Sequence, residues 1–290
     1  MRTPRSPQAI LLLSALSFSA MAFAAKVAAR TLPGDQIAFL RFVLMLAPFA
    51  ASPALARQAA TYRRLDLLVY RGLFGGTAVL LYFLAIAKIP VGLAVLLNST
   101  SPIWAVLFAA LFLGERTRPR LIGPLLLALG GVALASGALV ERAGPLRVGL
   151  WEGVALVSAV LSGAAVASVR AARRTESSWS IYGSFTVCGA LVTAPFALSG
   201  FVRPDAAGWA LLAVVGATSV AAQLLMTYAY RWVTNLQAGV ILQLNVLVTL
   251  ALGVVLLGER LAPSQWVGSA LVVSGVMGVV WLQAPPRAVE

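Results

Sequence analysis

The densest polar chemistry inside any apolar stretch of the chain is the run Asn98-Ser99-Thr100-Ser101-Pro102. Pro102 has no N–H and its ring displaces the carbonyl of Asn98, so we expect a helical kink that leaves a carbonyl oxygen beside a side-chain amide. Asn98 and Ser101 lie three residues apart and therefore share a helix face. Neutral groups of this kind can hydrogen-bond a small polar molecule. The alternative is that they join neighbouring helices.

Other candidate contacts for a small molecule are polar or aromatic residues within apolar stretches. They are Tyr82, Gln223, Thr227, Gln243, Asn245, Ser158, Ser162, Phe18 and Trp104. Gln243 and Asn245 point roughly 200° apart on a helix, so at most one faces a common cavity squarely, and Asn245 is preferred. For Ser158 and Ser162, close helix packing is the favoured alternative. The three aromatic residues are candidate cavity walls, or else packing or lipid-facing residues.

Composition separates this chain from soluble proteins. Hydrophobic residues make up 60% of its 290 residues, charged residues make up 11%, and mean hydropathy is +0.92, whereas a soluble domain carries about 25% charged residues. There is no His and one Cys, Cys188, which excludes His-ligated and Cys-cluster metal sites, a His-based nucleophilic relay and an intrachain disulfide. We therefore expect no metal and no cofactor.

Ten apolar runs are long enough to cross a membrane as helices, since a span needs about 20 residues. They are 8–29, 36–55, 67–87, 92–113, 120–140, 148–171, 179–198, 207–230, 236–257 and 264–283. The runs lack the period-two alternation of an outer-membrane barrel. The first run also has features of a cleavable secretory signal, but its match to the sixth run, described below, favours a retained helix.

Basic residues lie unequally on the two sides of these runs. Fourteen fall on the side of the termini, seven fall on the other side, and Arg41 lies inside a run. Because cytoplasmic loops are enriched in Lys and Arg, both termini are predicted to be cytoplasmic. The net charge of +13 is thus explained by membrane loops, and nucleic-acid binding is not expected.

An internal duplication appears when the chain is aligned with itself at an offset of 144 residues. The most specific matches are Gly114-Glu115-Arg116 with Gly258-Glu259-Arg260, Arg30-Thr31 with Arg174-Thr175, and Ser14-Ala15 with Ser158-Ala159. Two halves are expected, 1–143 and 144–290, each with five helices. Because five is odd, the second half enters the membrane from the opposite side. The predicted fold is an all-α integral membrane protein of ten transmembrane helices, arranged as two inverted five-helix repeats, which is the architecture of alternating-access transporters.

Charged residues in or beside the runs are interpreted as gating or structural groups. They are Arg41, Glu115, Arg116, Glu152, Glu259 and Arg260. Arg41 lies about five residues into its run, shallow enough to extend to the membrane surface, and the alternatives are a carboxylate clamp or a gate pair. No Asp or Glu is expected at midmembrane depth, so facilitated diffusion and coupling through Glu152 both stay open. A substrate carboxylate is expected to bind neutral amides or helix N-termini rather than a deep cation.

In combination, several of these features resemble the drug/metabolite transporter superfamily, in particular its EamA-type branch with ten helices. The features are Arg41-Phe42 in the second run, Pro102 in the fourth, the two Gly-Glu-Arg blocks, Gly130-Gly131 and Gly275. The chain departs from the pattern at Phe18-Ser19, where many members have Trp-Gly, and at Val246, which matches Pro102. The resemblance covers nearly the whole chain and implies a small-metabolite carrier, often an exporter of amino acids or related compounds.

The sequence therefore predicts an inner-membrane transporter of small organic metabolites, with amino acids or related compounds as substrates and export as the direction. Its expected partners are the substrate and the lipid bilayer. The alternatives are a non-transporting membrane scaffold, a channel or a membrane-embedded enzyme, and the last would need a nucleophile, an acid–base pair or a metal at membrane depth. A scaffold would tolerate apolar residues at 98–101, whereas a carrier would not.

Overall fold

The computed structural model describes residues 7–113, 120, 122–135, 149–172, 175–229 and 235–283, and the sequence-predicted pair Glu115 and Arg116 lies outside them. Across these ranges the chain is helical, and no strand occurs in them. The helices are α1 (Pro7–Ala28), α2 (Gly34–Met45), α3 (Ala47–Ala51), α4 (Pro53–Ala60), α5 (Leu65–Lys88), α6 (Val91–Asn98), α7 (Ser101–Leu113), α8 (Ile122–Ala135), α9 (Leu150–Ala172), α10 (Ser178–Ser199), α11 (Ala206–Ala229), α12 (Asn235–Leu257) and α13 (Pro263–Gln283). A helix satisfies its backbone polar groups internally, as hydrocarbon requires of a spanning segment.

The apolar length of these helices identifies a multi-pass membrane protein. Six segments of the described residues are long and apolar enough to cross a bilayer: Pro7–Ala28, Gly34–Ala51, Leu65–Lys88, Leu150–Val169, Ser178–Ser199 and Ala206–Met226. Shorter apolar helical segments are Val91–Ala105, Ile122–Ala135 and Leu244–Leu257. Large apolar side chains also face outwards, among them Leu126, Leu191 and Val255 at 64%, 68% and 76% exposure. Such a surface suits lipid, because soluble monomers rarely expose large apolar patches. The expectation of an all-helical membrane fold is confirmed.

One predicted run, 36–55, is divided into three helices. α2 ends at Met45, α3 begins at Ala47 with Pro48 in its first turn, and α4 begins at Pro53. A proline cannot donate the backbone hydrogen bond that would continue the preceding helix. The run expected as one straight helix is therefore bent at its second half.

The predicted run 92–113 is also divided, at the polar cluster. α6 ends at Asn98 and α7 begins at Ser101, so the structure has a break where the sequence predicts a kink. The Ser99 and Thr100 hydroxyls donate to backbone carbonyls of α6 at 2.7 and 2.8 Å. These bonds replace part of the helical pattern that Pro102, which has no N–H, interrupts.

Two helix ends carry specific caps. The Ser177 hydroxyl accepts the Ser180 N–H at 3.0 Å and begins α10. α12 ends before Gly258, whose φ of 66° lies in the left-handed region that glycine adopts without strain. The turn lets the Glu259 N–H donate to the Gly253 carbonyl at 3.0 Å, and it directs the Glu259 side chain back towards the bundle.

Helix packing follows the sequence offset of 144. α1 packs against α11 and α12, whereas α9 packs against α5 and against α6 and α7. The offset converts the first set of contacts into the second, because it relates α1 to α9, α5 to α11, and α6 with α7 to α12. The contacts of α2 with α10 and of α8 with α13 each join two related helices.

One close contact of this kind occurs between α8 and α13. A Cβ placed on Gly131 would lie 2.8 Å from the Gly268 carbonyl oxygen, and a Cβ on Gly275 would lie 2.7 Å from that of Pro124. These are the same contact made twice, since the offset relates Gly131 to Gly275 and Pro124 to Gly268. Neither glycine leaves room for a side chain, which is the small-residue packing that brings membrane helices together.

Candidate functional site

The predicted site residue Asn98 joins three helices. Its Nδ2 donates to the Ser158 hydroxyl of α9 at 2.8 Å. The Ser158 hydroxyl in turn donates to the Ala78 carbonyl of α5 at 2.7 Å. Ser158 is fully buried, whereas Asn98 is partly exposed. Asn98 therefore makes an interhelical bond and still presents part of its amide beside the α6–α7 break.

Ser14 makes the bond that the offset of 144 predicts. Its hydroxyl donates to the Ala222 carbonyl of α11 at 2.7 Å, and Ser14 and Ala222 correspond to Ser158 and Ala78. The first helix of each half is thus hydrogen-bonded to the third predicted run of the other half. The Asn98 amide has no such counterpart, because Leu242 occupies the corresponding position.

Asn245, the other preferred amide, lies in a second hydrogen-bond group between α1 and α12. Its Oδ1 accepts the Ser19 hydroxyl at 2.8 Å and the Thr249 hydroxyl at 3.2 Å. At the corresponding position of the other half, Gly163 replaces Ser19 and has no hydroxyl to donate, and a Cβ there would lie 2.9 Å from the Ser101 carbonyl oxygen. The two preferred amides therefore belong to separate groups with different partners.

The three predicted aromatic residues are at least partly buried. Phe18 packs against the main apolar core. Tyr82 is buried, with its ring edge-on to Phe83 at 5.8 Å between centroids. The Trp104 Nε1 atom is buried and has no hydrogen-bond partner in the described part of the chain. This indole is a donor without an acceptor, which costs free energy unless a ligand or water meets it.

The remaining predicted contacts are less well defined. Ser162 and Gln223 are partly buried on α9 and α11, and Pro102 is partly buried in the first turn of α7. The side chains of Thr227 and Gln243 lie outside the described part of the molecule.

Arg41 is buried in the protein, with 3% of its surface exposed, rather than extended to the membrane surface. Its Nε donates to the Ser219 hydroxyl of α11 at 2.8 Å. Its guanidinium carbon lies 5.1, 5.6 and 5.9 Å from the ring centroids of Phe42, Phe83 and Phe185. The Nη1 atom is buried and has no hydrogen-bond partner among the residues that the structure describes. Of the sequence interpretations of Arg41, extension to the surface does not agree with the structure.

A second arginine lies against the same aromatic ring. The guanidinium carbon of Arg71, on α5, is 4.1 Å from the Phe185 ring centroid. Its Nε is buried and has no hydrogen-bond partner in the described ranges. Gly75, one turn later, makes room for it, because a Cβ there would collide with the Arg71 Nη1 and lie 3.0 Å from the Phe185 ring. Arg71 lies within α5, in its second turn, rather than in a loop.

We call Arg41, Arg71, Phe185 and Ser219 the arginine cluster. The offset of 144 relates Arg41 to Phe185, and Gly75 to Ser219. The cluster therefore forms where corresponding positions of α2 and α10 approach each other. No carboxylate of the described residues forms an ion pair with either guanidinium. The ion pair that the described residues do form, Arg64–Asp66 at 2.7 Å, is exposed and lies outside the cluster.

One end of the helix bundle is closed by charged side chains on backbone groups. The Glu259 carboxylate accepts the Val91 N–H at 2.9 and 3.1 Å and so caps α6. Lys26 Nζ donates to the carbonyls of Ile86 and Ile89, at 3.0 and 2.6 Å, at the end of α5. A cavity of about 260 Å³ lies between Lys26 and Glu259. Both charges satisfy helix ends, as a structural or gating role requires.

The opposite end is closed by a different carboxylate. Glu176 accepts the backbone N–H groups of Arg63 and Arg64 at 3.0 and 2.8 Å. Desolvation raises the pKa of this carboxyl, but the hydrogen bonds from the Arg63 and Arg64 backbone and from the Thr175 hydroxyl, together with the charge of Arg63, hold the pKa below its ordinary value. The ionised form of Glu176 is therefore the one that joins the loop before α5 to the loop before α10.

Corresponding hydrogen bonds occur at both ends. The Gln36 side chain exchanges two bonds with the Val202 backbone, at 2.7 and 2.9 Å. At the opposite end, the Ser180 hydroxyl donates to the Gln58 carbonyl at 3.1 Å. The offset of 144 relates Gln36 to Ser180 and Gln58 to Val202, so the first turn of α2 is hydrogen-bonded to the segment after α10, and the first turn of α10 to α4, at corresponding positions.

Comparison with known proteins identifies the family. Residues 6–137 and 149–281 each match the model of the EamA-like transporter family. The chain belongs to this family. The resemblance drawn from the sequence is therefore confirmed, and the family and its named relatives point to a membrane transporter of small metabolites rather than to an enzyme.

Relatives of known name support this assignment. The pseudopaline exporter CntI of Pseudomonas aeruginosa strain UCBPP-PA14 is 33% identical over 227 residues, covering 76% of this chain and 77% of the relative. An uncharacterized transporter of Helicobacter pylori strain 26695 is 24% identical over 245 residues, covering 80% and 79%. A solved crystal structure superposes with a TM-score of 0.61 at 24% identity, over 97% of this chain and 98% of the other. This similarity shows that the chain shares the fold of that crystal structure.

Two of the predicted charged residues lie at the margins of the transporter. Glu152 is in the first turn of α9, where the helix dipole favours a negative charge. Arg260 is exposed after α12. Neither contacts the arginine cluster.

The sequence analysis missed Arg71, Phe185 and Ser219 as site residues. One signal was available, since the offset pairs Arg41 with Phe185, and related positions meet when two halves pack about an axis. A second was Gly75, four residues after Arg71, because a helical glycine one turn away can accommodate a long side chain.

Proposed function

We propose that this EamA-like transporter exports small organic metabolites, such as amino acids or related compounds, across the inner membrane. The mechanism is alternating access between two inverted five-helix halves, residues 1–143 and 144–290, with both termini in the cytoplasm. The observation that carries the proposal is the pair of crossed bonds, Ser14 to Ala222 and Ser158 to Ala78, each 2.7 Å. An axis in the membrane plane that exchanges the two halves produces such reciprocal contacts.

Export and orientation rest on two further observations. The relative from Pseudomonas aeruginosa is named an exporter, and that direction is carried over to this chain as part of the proposal. The excess of basic residues on the side of the termini supports a cytoplasmic location for that side. By this orientation, Glu176 marks the cytoplasmic end and Glu259 the outer end.

The hydrogen bonds at the two ends act as the gates in this proposal. Gln36 with Val202 closes the outer end, and Ser180 with Gln58 closes the cytoplasmic end. Each gate is a short polar contact between halves that breaks without unfolding a helix. Transport then requires the two gates to open in turn, since a site open at both ends would be a channel.

Cysteine cross-linking tests the alternating mechanism. On a Cys188→Ser background, we would introduce Gln36→Cys with Val202→Cys, and separately Gln58→Cys with Ser180→Cys. A short bismaleimide that joins either pair is expected to abolish counterflow in proteoliposomes, because one gate can no longer open. Each single-cysteine variant, treated with the same reagent, is the control. Full counterflow with either pair cross-linked would exclude alternation at these ends.

The Asn98 amide beside the helix break and the Asn245 amide on α12 are tested separately. Asn98→Ala and Asn245→Ala are each expected to lower counterflow of a transported solute about tenfold if the amide bonds it, the scale of a lost hydrogen bond to a charged group. Unchanged counterflow in both variants, with unchanged protein yield, would assign the two amides to helix packing alone.

A further inference from the structure

The arginine cluster has two features that helix packing does not explain. Two guanidinium groups lie 5.9 and 4.1 Å from one ring centroid, that of Phe185. Each keeps a buried nitrogen to which no described residue hydrogen-bonds, Nη1 on Arg41 and Nε on Arg71. The arginines come from α2 and α5 of the first half, and Phe185 comes from α10 of the second.

The physical cost of this arrangement is high unless an anion joins it. Like charges repel strongly in a low-dielectric interior, and a buried donor without an acceptor loses its hydration with no replacement. The ring of Phe185 and the hydroxyl of Ser219 offset part of this cost. The described carboxylates do not, because none pairs with either arginine. The missing partner is a small anion with at least two acceptor oxygens.

We propose that Arg41 and Arg71 bind a carboxylate of the transported molecule, which makes organic carboxylates the substrate class of this carrier. The inference rests on the proposed transport function and names the ligand of its central site. A carboxylate accepts hydrogen bonds from a guanidinium in a planar, directional geometry, and it neutralises the repulsion between the two arginines. The deep cations thus replace the neutral amides and helix N-termini that the sequence suggested for this task.

The position of the cluster suits a substrate that both halves must hold. Arg41 and Phe185 are related by the offset of 144, so they meet where the two halves approach symmetrically. The rings of Phe42 and Phe83, beside Arg41, provide an apolar wall next to the anion. A carboxylate joined to an apolar or aromatic body matches both parts of the site.

Thermal unfolding of the full chain, purified in a neutral detergent, tests binding without knowledge of the natural substrate. The probe is succinate, compared with its uncharged diamide at constant ionic strength set with sodium chloride. Succinate is expected to raise the Tm of the wild-type protein by about 3 °C well above its Kd, since ligand binding stabilises the folded state. The diamide is expected to raise it by less than a third of that.

Three variants locate the effect. Arg41→Gln with Arg71→Gln together should abolish the difference between succinate and its diamide, and Arg71→Lys should retain part of it. Arg64→Gln is the matched control, because it removes an equal charge from the exposed Arg64–Asp66 pair and should leave the difference intact. Equal shifts by succinate and its diamide in the wild type, or an undiminished difference in the double variant, would overturn the proposal.

Counterflow separates this inference from the transport proposal. Proteoliposomes loaded with carboxylates or with their amides should exchange the carboxylates, and Arg41→Gln or Arg71→Gln should lower that exchange about ten- to a hundredfold, the range for losing a hydrogen bond to a charged group. Equal exchange of carboxylates and amides, unchanged in both variants, would contradict the anion site but not the transport proposal. Absence of any exchange in the wild type would contradict the transport proposal. The rise in Tm with succinate would still test the anion site in that case.

Discussion

Contacts between the two halves of this transporter are of two kinds. Some are made twice, at positions related by the offset of 144, and others are made once. The bond from Ser158 to α5 recurs as the bond from Ser14 to α11, and Gly131 repeats its close contact at Gly275. By contrast, Arg41 faces Phe185, and Asn98 corresponds to Leu242. Repeated contacts lie where helices pack, whereas single contacts gather the buried charge and the unpaired polar atoms.

This difference indicates how a duplicated chain divides its tasks. A contact needed by either half for packing is kept in both, because losing it destabilises the bundle wherever it occurs. A substrate that lies between the halves occupies one site and meets both, so its ligands need not be duplicated. Positions at which the two halves carry different residues are therefore the first places to look for function.

The largest effect is expected from the repeated glycine contact. Gly131→Val and Gly275→Val would each force α8 and α13 apart, because a Cβ at either position already lies within 3 Å of backbone atoms. Overpacking of this kind costs about 1–3 kcal/mol or more, so most of the monodisperse protein should be lost in size-exclusion chromatography. Gly130→Val is the matched control, since a Cβ there meets nothing within 4 Å. A similar loss in the Gly130 variant would show that helix propensity, not packing, is responsible.

An intermediate effect separates a repeated bond from a single one. Ser14→Ala loses one interhelical hydrogen bond, worth about 0.6 kcal/mol on average in membranes. Ser158→Ala loses the same bond and also leaves the Asn98 Nδ2 without its acceptor, so it should destabilise the protein by roughly 1 kcal/mol more. Unfolding in detergent by a graded denaturant measures the difference.

The added change Asn98→Leu provides the control for this pair. It gives the first half the residue found at Leu242, and in the Ser158→Ala background it should remove the excess destabilisation. If Ser158→Ala and Ser14→Ala are equally destabilised from the start, the Asn98 amide does not depend on Ser158.

The smallest effect concerns Glu176, whose position in the other half is occupied by Leu32. Its folded pKa lies below the ordinary value, so its contribution to stability is present above the unfolded pKa of about 4.3 and is lost as the pH falls through the folded pKa. Glu176→Gln should therefore lower Tm by about 1–2 °C at pH 7, the scale of an exposed contact. Below the folded pKa the two proteins should unfold alike.

A difference between wild type and Glu176→Gln that persists or grows in acid would contradict this assignment. Glu152→Gln, which changes an acid in the first turn of α9, is a suitable control for a general effect of lost negative charge.

The fold was largely predictable from sequence, because apolar length and a constant offset are local or one-dimensional signals. The break at Ser99 and Thr100 was foreseeable as a kink, since Pro102 removes a backbone donor wherever the helix lies. The bend of the second run at Pro48 and Pro53 was not foreseen, although the same rule applies. Hydropathy alone does not reveal this bend, because the run stays apolar on both sides of each proline.

The candidate site was less predictable, because its geometry depends on residues far apart in the chain. The direction of Arg41 is set by Ser219 on α11 and by rings on α5 and α10, none of which a local pattern reveals. Arg71 lies near the end of an apolar run, where a cation usually faces the membrane surface. The structure instead turns it over Gly75 towards Phe185.

The one native thiol lies at a contact that should respond to motion of the halves. Cys188 on α10 faces α5 so closely that a Cβ on Gly72 would lie 2.5 Å from its Sγ. Cys188 is partly exposed, and we expect a maleimide to add to its sulfur faster when the two helices separate, so the rate of alkylation reports on this contact. A substrate that changes how often α5 and α10 separate should therefore change the labelling rate of Cys188. The native thiol can report on such a substrate before its transport is measured.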